Sequence, residues 1–391
     1  MQFVIIGNPE NRRVISFCET VKSLGYPDPI KISYAGWLDG ASHVILPPGS
    51  IVKIDSPGEN ESVRQMLIAR GMMIARGIAW NTHKQYPDIN VTQIPAVQED
   101  FGAIRQMPAW YAGYCNWLDE ISEVIKNQPA IHVMNKPEDI KIQFDKPRCQ
   151  AFLKRHQIPV PFILPAITGF EDLIDKMQQQ RLLKVFIKPA HASSASGVIA
   201  FRKMDDKMQA ITSAEIVEGP KGIELYNSLT IRTYTKPAEI AALIERIMQE
   251  NVLVEEWLPK ATLLDHFFDI RVLVIAGKAR HTVVRTSKHP ITNLHLGNKR
   301  GDMQEFIARI GEDKLREVKT MAERAAACFP ASLYMGVDIL ITADLRKFVV
   351  LEINAFGDLL PHLIDEGETC YQAQIMAQIR VMTGQQDRLL C

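Results

Sequence analysis

Excess charge of either sign is missing from this sequence. Its 45 Lys and Arg are balanced by 45 Asp and Glu, which argues against a protein that coats nucleic acid or an anionic membrane, since both normally carry a basic excess. Cysteine pairs at metal spacing are also missing. The six cysteines, Cys18, Cys115, Cys149, Cys328, Cys370 and Cys391, are scattered with no C-x-x-C, which suits reduced thiols better than a zinc site or a disulfide scaffold. No apolar run is long enough for a bilayer, because the best candidate, residues 267–277, is interrupted by Asp269 and Arg271. The opening Met1–Gly7 is too short and uncharged for a signal peptide. The sequons at Asn60 and Asn90 carry no weight without a secretory route. Neither a G-x-G-x-x-G turn nor a G-x-x-x-x-G-K-[ST] loop is present. A cytoplasmic protein with no nucleic-acid or membrane partner is the expectation.

What is present is 391 residues, 47% hydrophobic, more than one compact core usually takes. The first third alternates strand and helix signals. Residues 2–6 and 51–54 are apolar runs, and residues 11–24 and 61–78 have apolar side chains at helical spacing, the pattern of a parallel α/β sheet. Trp110, Tyr111, Tyr114 and Trp117 then open an amphipathic helix to about Lys126, with a boundary near Asn127-Gln128-Pro129. The remainder mixes elements less regularly. Residues 131–133 read as a strand and 145–156 as a helix; 184–188 with 197–202, 267–276 with 279–285, and 336–341 with 348–353 read as antiparallel pairs. Residues 238–249 and 312–328 read as helices, and 253–258 as a strand running into a linker. The fold class is therefore α/β followed by α+β.

Four segments carry candidate chemistry. In Leu351-Glu352-Ile353-Asn354, strand alternation puts Glu352 and Asn354 on one face and sends Leu351 and Ile353 to the core. Asp338 sits on the equally apolar strand across the hairpin, and the three oxygen donors suit Mg²⁺ bridging to phosphate. The plainer alternative is edge acids facing solvent. In Lys188-Pro189-Ala190-His191-Ala192-Ser193-Ser194-Ala195-Ser196-Gly197, a lysine ends a strand and a loop of small residues follows, which lets backbone N–H groups approach phosphate. Val252–Pro259 contains Glu255-Glu256-Trp257-Leu258 at a crossing between subdomains, where exposed backbone can pair with a purine edge. Finally, residues 285–301 carry Arg285, Lys288, Lys299 and Arg300 with no acid, whereas residues 336–368 carry a net charge of −5. A basic loop facing an acidic hairpin is what a magnesium triphosphate needs.

In this order and spacing the four segments resemble the ATP-grasp superfamily of carboxylate–amine ligases, over roughly residues 130–360. The nearest branch is that of the ribosomal-protein glutamate ligases, through Val133-Met134-Asn135-Lys136-Pro137-Glu138, Asp145-Lys146, Ile158-Pro159-Val160-Pro161, Asp269-Ile270-Arg271 and Thr292-Asn293-Leu294-His295-Leu296-Gly297. The ending Glu352-Ile353-Asn354-Ala355-Phe356-Gly357-Asp358 is also similar to an uncharacterised bacterial ATP-grasp subfamily. The resemblance implies an ATP-grasp fold behind an N-terminal parallel-sheet domain, divided as 1–128, 129–258 and 259–391.

It further implies ATP and Mg²⁺ as cofactors. Lys146 and Lys188 match the phosphate lysines, and Ser193, Ser194 and Ser196 stand in the phosphate loop. Glu255 matches the hinge acid, with Glu256 and Leu258 offering backbone to the purine and Asn293 near the phosphates. Asp338, Glu352 and Asn354 match the metal ligands, and Arg271 and Arg285 the catalytic basic positions. Two departures stand out: the phosphate loop keeps one glycine, Gly197, and Gly336 stands where dipeptide ligases carry an oxyanion arginine. Arg105, Trp110 and Tyr111 are candidate substrate contacts, with a domain-interface aromatic cluster as the alternative.

The implied reaction joins a carboxylate, activated as an acyl phosphate, to the amine of a small molecule, peptide or protein tail. A kinase on the same fold and a nucleotide-binding regulatory module are the rivals. A homodimer is the default oligomer.

Overall fold

The computed structural model describes residues 1–40, 46–77, 101–128, 130–219 and 222–384. Asn90, Cys391, Pro129 of the expected boundary and Ile78 at the expected helix end lie outside them. The described residues form three sheets.

The first sheet is parallel, in the order β2-β1-β3-β4, from β1 (Phe3–Gly7), β2 (Ile30–Ser33), β3 (Ile51–Ile54) and β4 (His132–Val133). Alternation along β1 splits its core. Phe3 and Ile5 pack with Val14 and Phe17 of α1 (Arg12–Ser23) and with the C-terminal helix, Cys370–Thr383. Val4 and Ile6 face Tyr34 and Trp37 of α2 (Tyr34–Leu38), Leu67 of α3 (Glu61–Ala75) and Trp117 of α4 (Met107–Lys126). Side-chain caps start the helices: Asn11, Ser33 and Asn60 each accept a first-turn backbone N–H. Helices α3 and α4 meet at Gly71 and Gly113, where an added Cβ would lie 1.8 Å from Ala109 O and 1.9 Å from Leu67 O respectively.

After α5 (Pro137–Phe144), α6 (Lys146–Arg155) and α7 (Phe170–Gln179) comes the second sheet, antiparallel in the order β8-β7-β6-β5-β9. Its strands are β5 (Lys184–Pro189), β6 (Ile199–Met204), β7 (Lys207–Gly219), β8 (Gly222–Tyr234) and β9 (Val252–Glu256), with α8 (Pro237–Met248) between β8 and β9. Helices α7 and α8 cover one face through Leu173, Met177, Leu243 and Ile247. The other face, with Phe186, Val198 and Ala200, packs on Ile291 and Leu296.

The third sheet runs β13-β12-β11-β14-β15, with β10 on β11. It comprises β10 (Thr262–Leu263), β11 (His266–Ile275), β12 (Lys278–Ser287), β13 (Lys299–Arg300), β14 (Tyr334–Ile341) and β15 (Phe348–Asn354), backed by α9 (Met303–Ile310) and α10 (Glu312–Ala326). The C-terminal helix, α11, starts with a Thr369/Gln372 capping box and ends on Gly384.

The parallel first third and the three antiparallel pairs appear as the sequence pattern predicts. Against the expected divisions at 128/129 and 258/259, three elements sit elsewhere. Strand β4 belongs to the first sheet. Cys149 and Leu153 of α6 pack into the third-sheet core. The chain then returns through α11 to cover the first sheet. Pattern reading passed over β2, α2, α5, the long β7–β8 hairpin, α7, α9 and α11. Among the described residues no helix is long and apolar enough to cross a membrane.

Candidate active site

A cleft of about 770 Å³, counting its open mouth, lies between the second and third sheets. Nine of the residues singled out from the sequence line it: Lys146, Lys188, Glu255, Glu256, Leu258, Arg285, Asn293, Asp338 and Glu352.

Its floor, and the arginine behind it, form a row of charged residues set by strand register. Asp269 stands opposite Arg285 across β11–β12, Arg271 opposite Asp338 across β11–β14, and Asp338 opposite Glu352 across β14–β15. Cross-strand neighbours lie within reach of one another, so the register itself makes the pairs. Arg285 Nε lies 2.6 Å from Asp269 Oδ1, and its Nη2 lies 3.0 Å from Asp338 Oδ2. Burial alone would raise the Asp338 carboxyl, but Arg271 and Arg285 outweigh it and hold the group well below the ordinary carboxylate range.

One expectation for β15 is corrected here. Register steps from Asp338↔Glu352 to Ile339↔Val350, which leaves Leu351 as the extra residue of a β-bulge. Strict alternation is broken, and Leu351 lines the cleft beside Glu352 instead of entering the core. Its carbonyl accepts Gln150 Nε2 at 3.3 Å.

The roof comes from the second sheet and the loop that follows β5. Lys188 and Glu255 are diagonal neighbours on β5 and β9, because Phe186 is the residue opposite Glu255. They are ion-paired, and Gln150 Nε2 donates to the second Glu255 oxygen at 2.9 Å. Lys146 begins α6 behind its Asp145 cap; its ammonium bonds Ala192 O and lies 3.3 Å from Glu352 Oε1. In the loop Ser194, Ala195 and Gly197 are left-handed, at φ 54°, 58° and 69°. The serines do not reach the cleft. Ser193 and Ser194 are exposed, and the lining is instead Ala192, Ala195 and Val198. Ser213 Oγ donates to Ala195 O at 2.9 Å, so the loop is tied down.

The hinge differs in detail from the expectation. Glu256 N already donates to Phe162 O at 2.8 Å and Leu258 N to Glu256 O at 3.1 Å. A purine edge would therefore find carbonyl oxygens there more readily than free N–H groups.

Other candidates stand apart. Arg271 lies behind Asp338 and Asn354 beyond the cleft lining, with Asn354 Nδ2 directed to Gly336 O at 3.5 Å. Trp110 and Tyr111 enter an aromatic cluster: Trp110 stacks on Tyr114 at 5.3 Å, and Tyr111 stacks on His191 at 3.9 Å. The Arg105 carbonyl accepts Arg64 Nη2 at 3.1 Å, and Arg105 is not among the residues lining the cleft. The aromatic-cluster alternative is what these side chains form. His191, which reads equally as a phosphate contact or a surface residue, is buried 3.3 Å from Asp145.

Sequence reading missed Lys260. Its ammonium donates to Thr292 Oγ1 at 2.7 Å and lies 3.4 Å from Asp269 Oδ2 inside the cleft. Burial lowers this lysine below its ordinary value; Asp269 opposes that, and the like charges of Arg285 and Lys188 add to it. The available signal was a lysine just past the hinge, in Trp257-Leu258-Pro259-Lys260.

The oxygen donors fit a hard cation. Asp338 and Glu352 adjoin across the ladder, and Asn354, two residues on, has no hydrogen bond on its side-chain Oδ1 among the described residues. No group of three or more His, Cys, Asp or Glu arranged to hold a metal ion occurs among the described residues, so the set depends on that amide.

Two antiparallel sheets closing on a charged cleft, behind a parallel N-terminal sheet, make the ATP-grasp fold. Residues 141–357 match the family described as YheC/D like ATP-grasp, and the chain belongs to that family. No curated protein sequence matches it. Among solved structures it is similar to the macrocyclase MdnC bound with precursor peptide MdnA from Microcystis aeruginosa MRC, at 12% identity and TM-score 0.54 over 98% of this chain and 100% of that one. It is also similar to the D-cycloserine synthetase DcsG, at 13% identity and TM-score 0.52 over 96% and 99%. A third likeness is to the ATP-grasp ligase PsnB complexed with minimal precursor, at 16% identity and TM-score 0.50 over 98% and 99%. At these identities the likeness is one of fold. Proximity to the ribosomal-protein glutamate ligases rests on the sequence motifs alone.

Proposed function

We propose that the chain is an ATP-dependent carboxylate–amine ligase that forms an amide or peptide bond and releases ADP and phosphate. One observation carries the reading: a single cleft gathers four cations, Lys146, Lys188, Lys260 and Arg285, beside the oxygen donors Asp338 and Glu352. Such a set neutralises a triphosphate, and no nucleophilic side chain is needed. Lys146 and Lys188 would hold phosphate oxygens, and Glu255, with the carbonyl of Glu256 and the apolar Leu258, the purine. Asn293, and backbone rather than hydroxyls at Ser193, Ser194 and Ser196, would cover the phosphates. Asp338, Glu352 and Asn354 would hold Mg²⁺, which when bound draws charge from the phosphate oxygens.

Arg285, with Arg271 behind Asp338, would stabilise the transferred phosphoryl group. In the first step a substrate carboxylate oxygen bonds to the γ-phosphorus as the bridging P–O bond breaks and ADP leaves. In the second, an amine displaces phosphate from the acyl carbon and loses a proton. The three parts of the chain, near 1–128, 129–258 and 259–391, are proposed to work as an acceptor domain and two lobes, with α11 belonging to the first. The acceptor, whether small molecule, peptide or protein tail, is assigned to the region under the first sheet. A homodimer in the cytoplasm is the working assumption for the assay.

The test incubates the full chain with Mg-ATP, pooled amino acids and short peptides. ADP and phosphate released in step with a new amide, seen by mass spectrometry and lost in Glu352→Ala, is the expected result. ADP without free phosphate makes it a kinase; no turnover with any pool makes it a binding module.

A further inference from the structure

Away from the nucleotide cleft, an arginine of helix α1 and an arginine of the third sheet both bond the loop that follows β15. Arg13, in the first turn of α1, is held from two sides. Its Nε donates to Asp55 Oδ1 at 2.9 Å, and its Nη2 donates to Phe356 O. Asp55 directly follows β3, and its own N–H bonds Ile6 O at 2.8 Å. Arg13 therefore stands at the carboxyl ends of the parallel strands β1 and β3, the edge at which open α/β sheets bind ligands. Arg271 comes from the third sheet. Its Nε and Nη2 are spent on Asp338, and its Nη1 lies 2.8 Å from Asp358 Oδ2.

Asp358 lies in the loop after β15 that also carries Phe356. Arg13 Nη2 bonds the backbone of Phe356, two residues from Asp358; burial raises the Asp358 carboxyl, but Arg271 first and Arg13 second pull it below the ordinary range. The Asp358 side chain is 26% exposed and that of Arg13 20%. Among the described residues Arg13 Nη1 has no protein partner, so both its hydrogens and the second hydrogen of Nη2 remain to be filled. The spot is partly open to solvent, holds two guanidinium groups each already paired with aspartate, and adjoins Asp338, which Arg285 also contacts in the cleft.

We propose that Arg13 and Arg271 form the subsite for the substrate carboxylate, and that the Asp358 carboxylate competes with it for Arg271. The inference rests on the ligase reading for what the carboxylate does there, and adds a residue from the N-terminal sheet that no motif marked. Nη1 of Arg13 from helix α1 and Nη1 of Arg271 from the third sheet, once Asp358 is displaced, give a carboxylate one charged donor for each oxygen. An intramolecular acid on Arg271 keeps that guanidinium oriented and sets a threshold the incoming carboxylate must exceed.

The experiment uses ¹³C-acetate as probe, titrated by NMR into the full chain. Asp358→Ala is expected to bind acetate about tenfold more tightly than the unaltered chain, because Arg271 Nη1 is released. Asp358→Asn, which keeps the side-chain shape, is expected to give a smaller gain in the same direction. Adding Arg13→Gln to Asp358→Ala is expected to return the affinity to the starting level, and Arg13→Lys, charged but without the fork, to return it partly. Unchanged acetate affinity in both Asp358 variants, or a gain that survives loss of Arg13, overturns the proposal. Affinity for a non-hydrolysable ATP analogue, measured on the same samples, tests the nucleotide reading separately, so the two can fail independently.

Discussion

Arg271 grips Asp338 with two nitrogens, Nε at 2.6 Å from Oδ1 and Nη2 at 2.7 Å from Oδ2, while Arg285 reaches the same carboxylate from the other side. Removing that charge leaves two buried guanidinium groups short of a partner. Asp338→Asn is expected to lower unfolding free energy by about 3 kcal/mol and to abolish magnesium-dependent turnover. The pH dependence has a definite sign. The folded carboxyl is held below its unfolded value, so its contribution is complete above the ordinary carboxylate range, begins to fall as pH drops through that range and is gone only below the lower folded value. Urea unfolding of both forms from neutral pH down to pH ~3 checks this: the gap between them must narrow on acidification.

How far the sequence led depends on the range of the interactions involved. The Asp338/Glu352 pair was legible because both acids interrupt apolar strands joined by a short turn, and a hairpin fixes its own register. The bulge at Leu351 was not, since one extra residue leaves no mark on composition. Lys260 was hidden for another reason: its shortest bond, to Thr292 Oγ1, is to a residue 32 positions away along the chain. Arg13 illustrates the limit best. It is separated from Phe356 by 343 residues, and only the packing of the first sheet on the loop after β15 brings them together. The helix carrying it was plain from Val14, Phe17 and Val21, whereas nothing local shows what its polar edge meets.

Lys188 and Glu255 make a second sharp case. Glu255 is about 1% exposed and keeps only Gln150 if the lysine is removed. Lys188→Met is expected to weaken binding of a non-hydrolysable ATP analogue at least about tenfold, equivalent to ~1.4 kcal/mol, and also to lower stability. Lys188→Met combined with Glu255→Gln is expected to restore stability without restoring nucleotide affinity, since the uncompensated buried charge is gone but the phosphate contact is not replaced. Calorimetric titration and thermal unfolding separate the two effects. Recovery of both together would mean the lysine serves the fold alone.

Gly197 is the one glycine the phosphate loop retains, and two constraints hold it. Its φ is 69°, and a Cβ there would lie 2.9 Å from Ile247 Cδ1 and 3.0 Å from Pro189 Cγ. Gly197→Ala is expected to cost about 1–3 kcal/mol from backbone strain and crowding combined. Because Ala195 and Val198 line the cleft on either side of it, nucleotide affinity is expected to fall as well. A variant that matches the parent in thermal midpoint contradicts this account of the loop.

Lys53 provides a test that does not involve the cleft. Its side chain is 0% exposed on β3; the ammonium bonds Tyr334 Oη, lies 3.6 Å from Asp55 Oδ2 and sits over the Tyr334 ring at 4.2 Å, with Phe17 and Tyr371 each 5.6 Å away. Burial and the nearby Arg13 lower its pKa to about 8, while Asp55 opposes them. An unfolded lysine titrates near 10.5, so between these values the unfolded chain binds more protons than the folded one. Stability from this group therefore rises as pH increases from about 8 toward 10.5. Tyr334 and Tyr371 are both raised by burial, and their contribution, common to both proteins, cancels when parent and variant are compared. Lys53→Met fills the same apolar surroundings with no charge. The parent is expected to gain on the variant across that window in urea unfolding at successive pH values. Parallel curves would show that the lysine stays charged in both states.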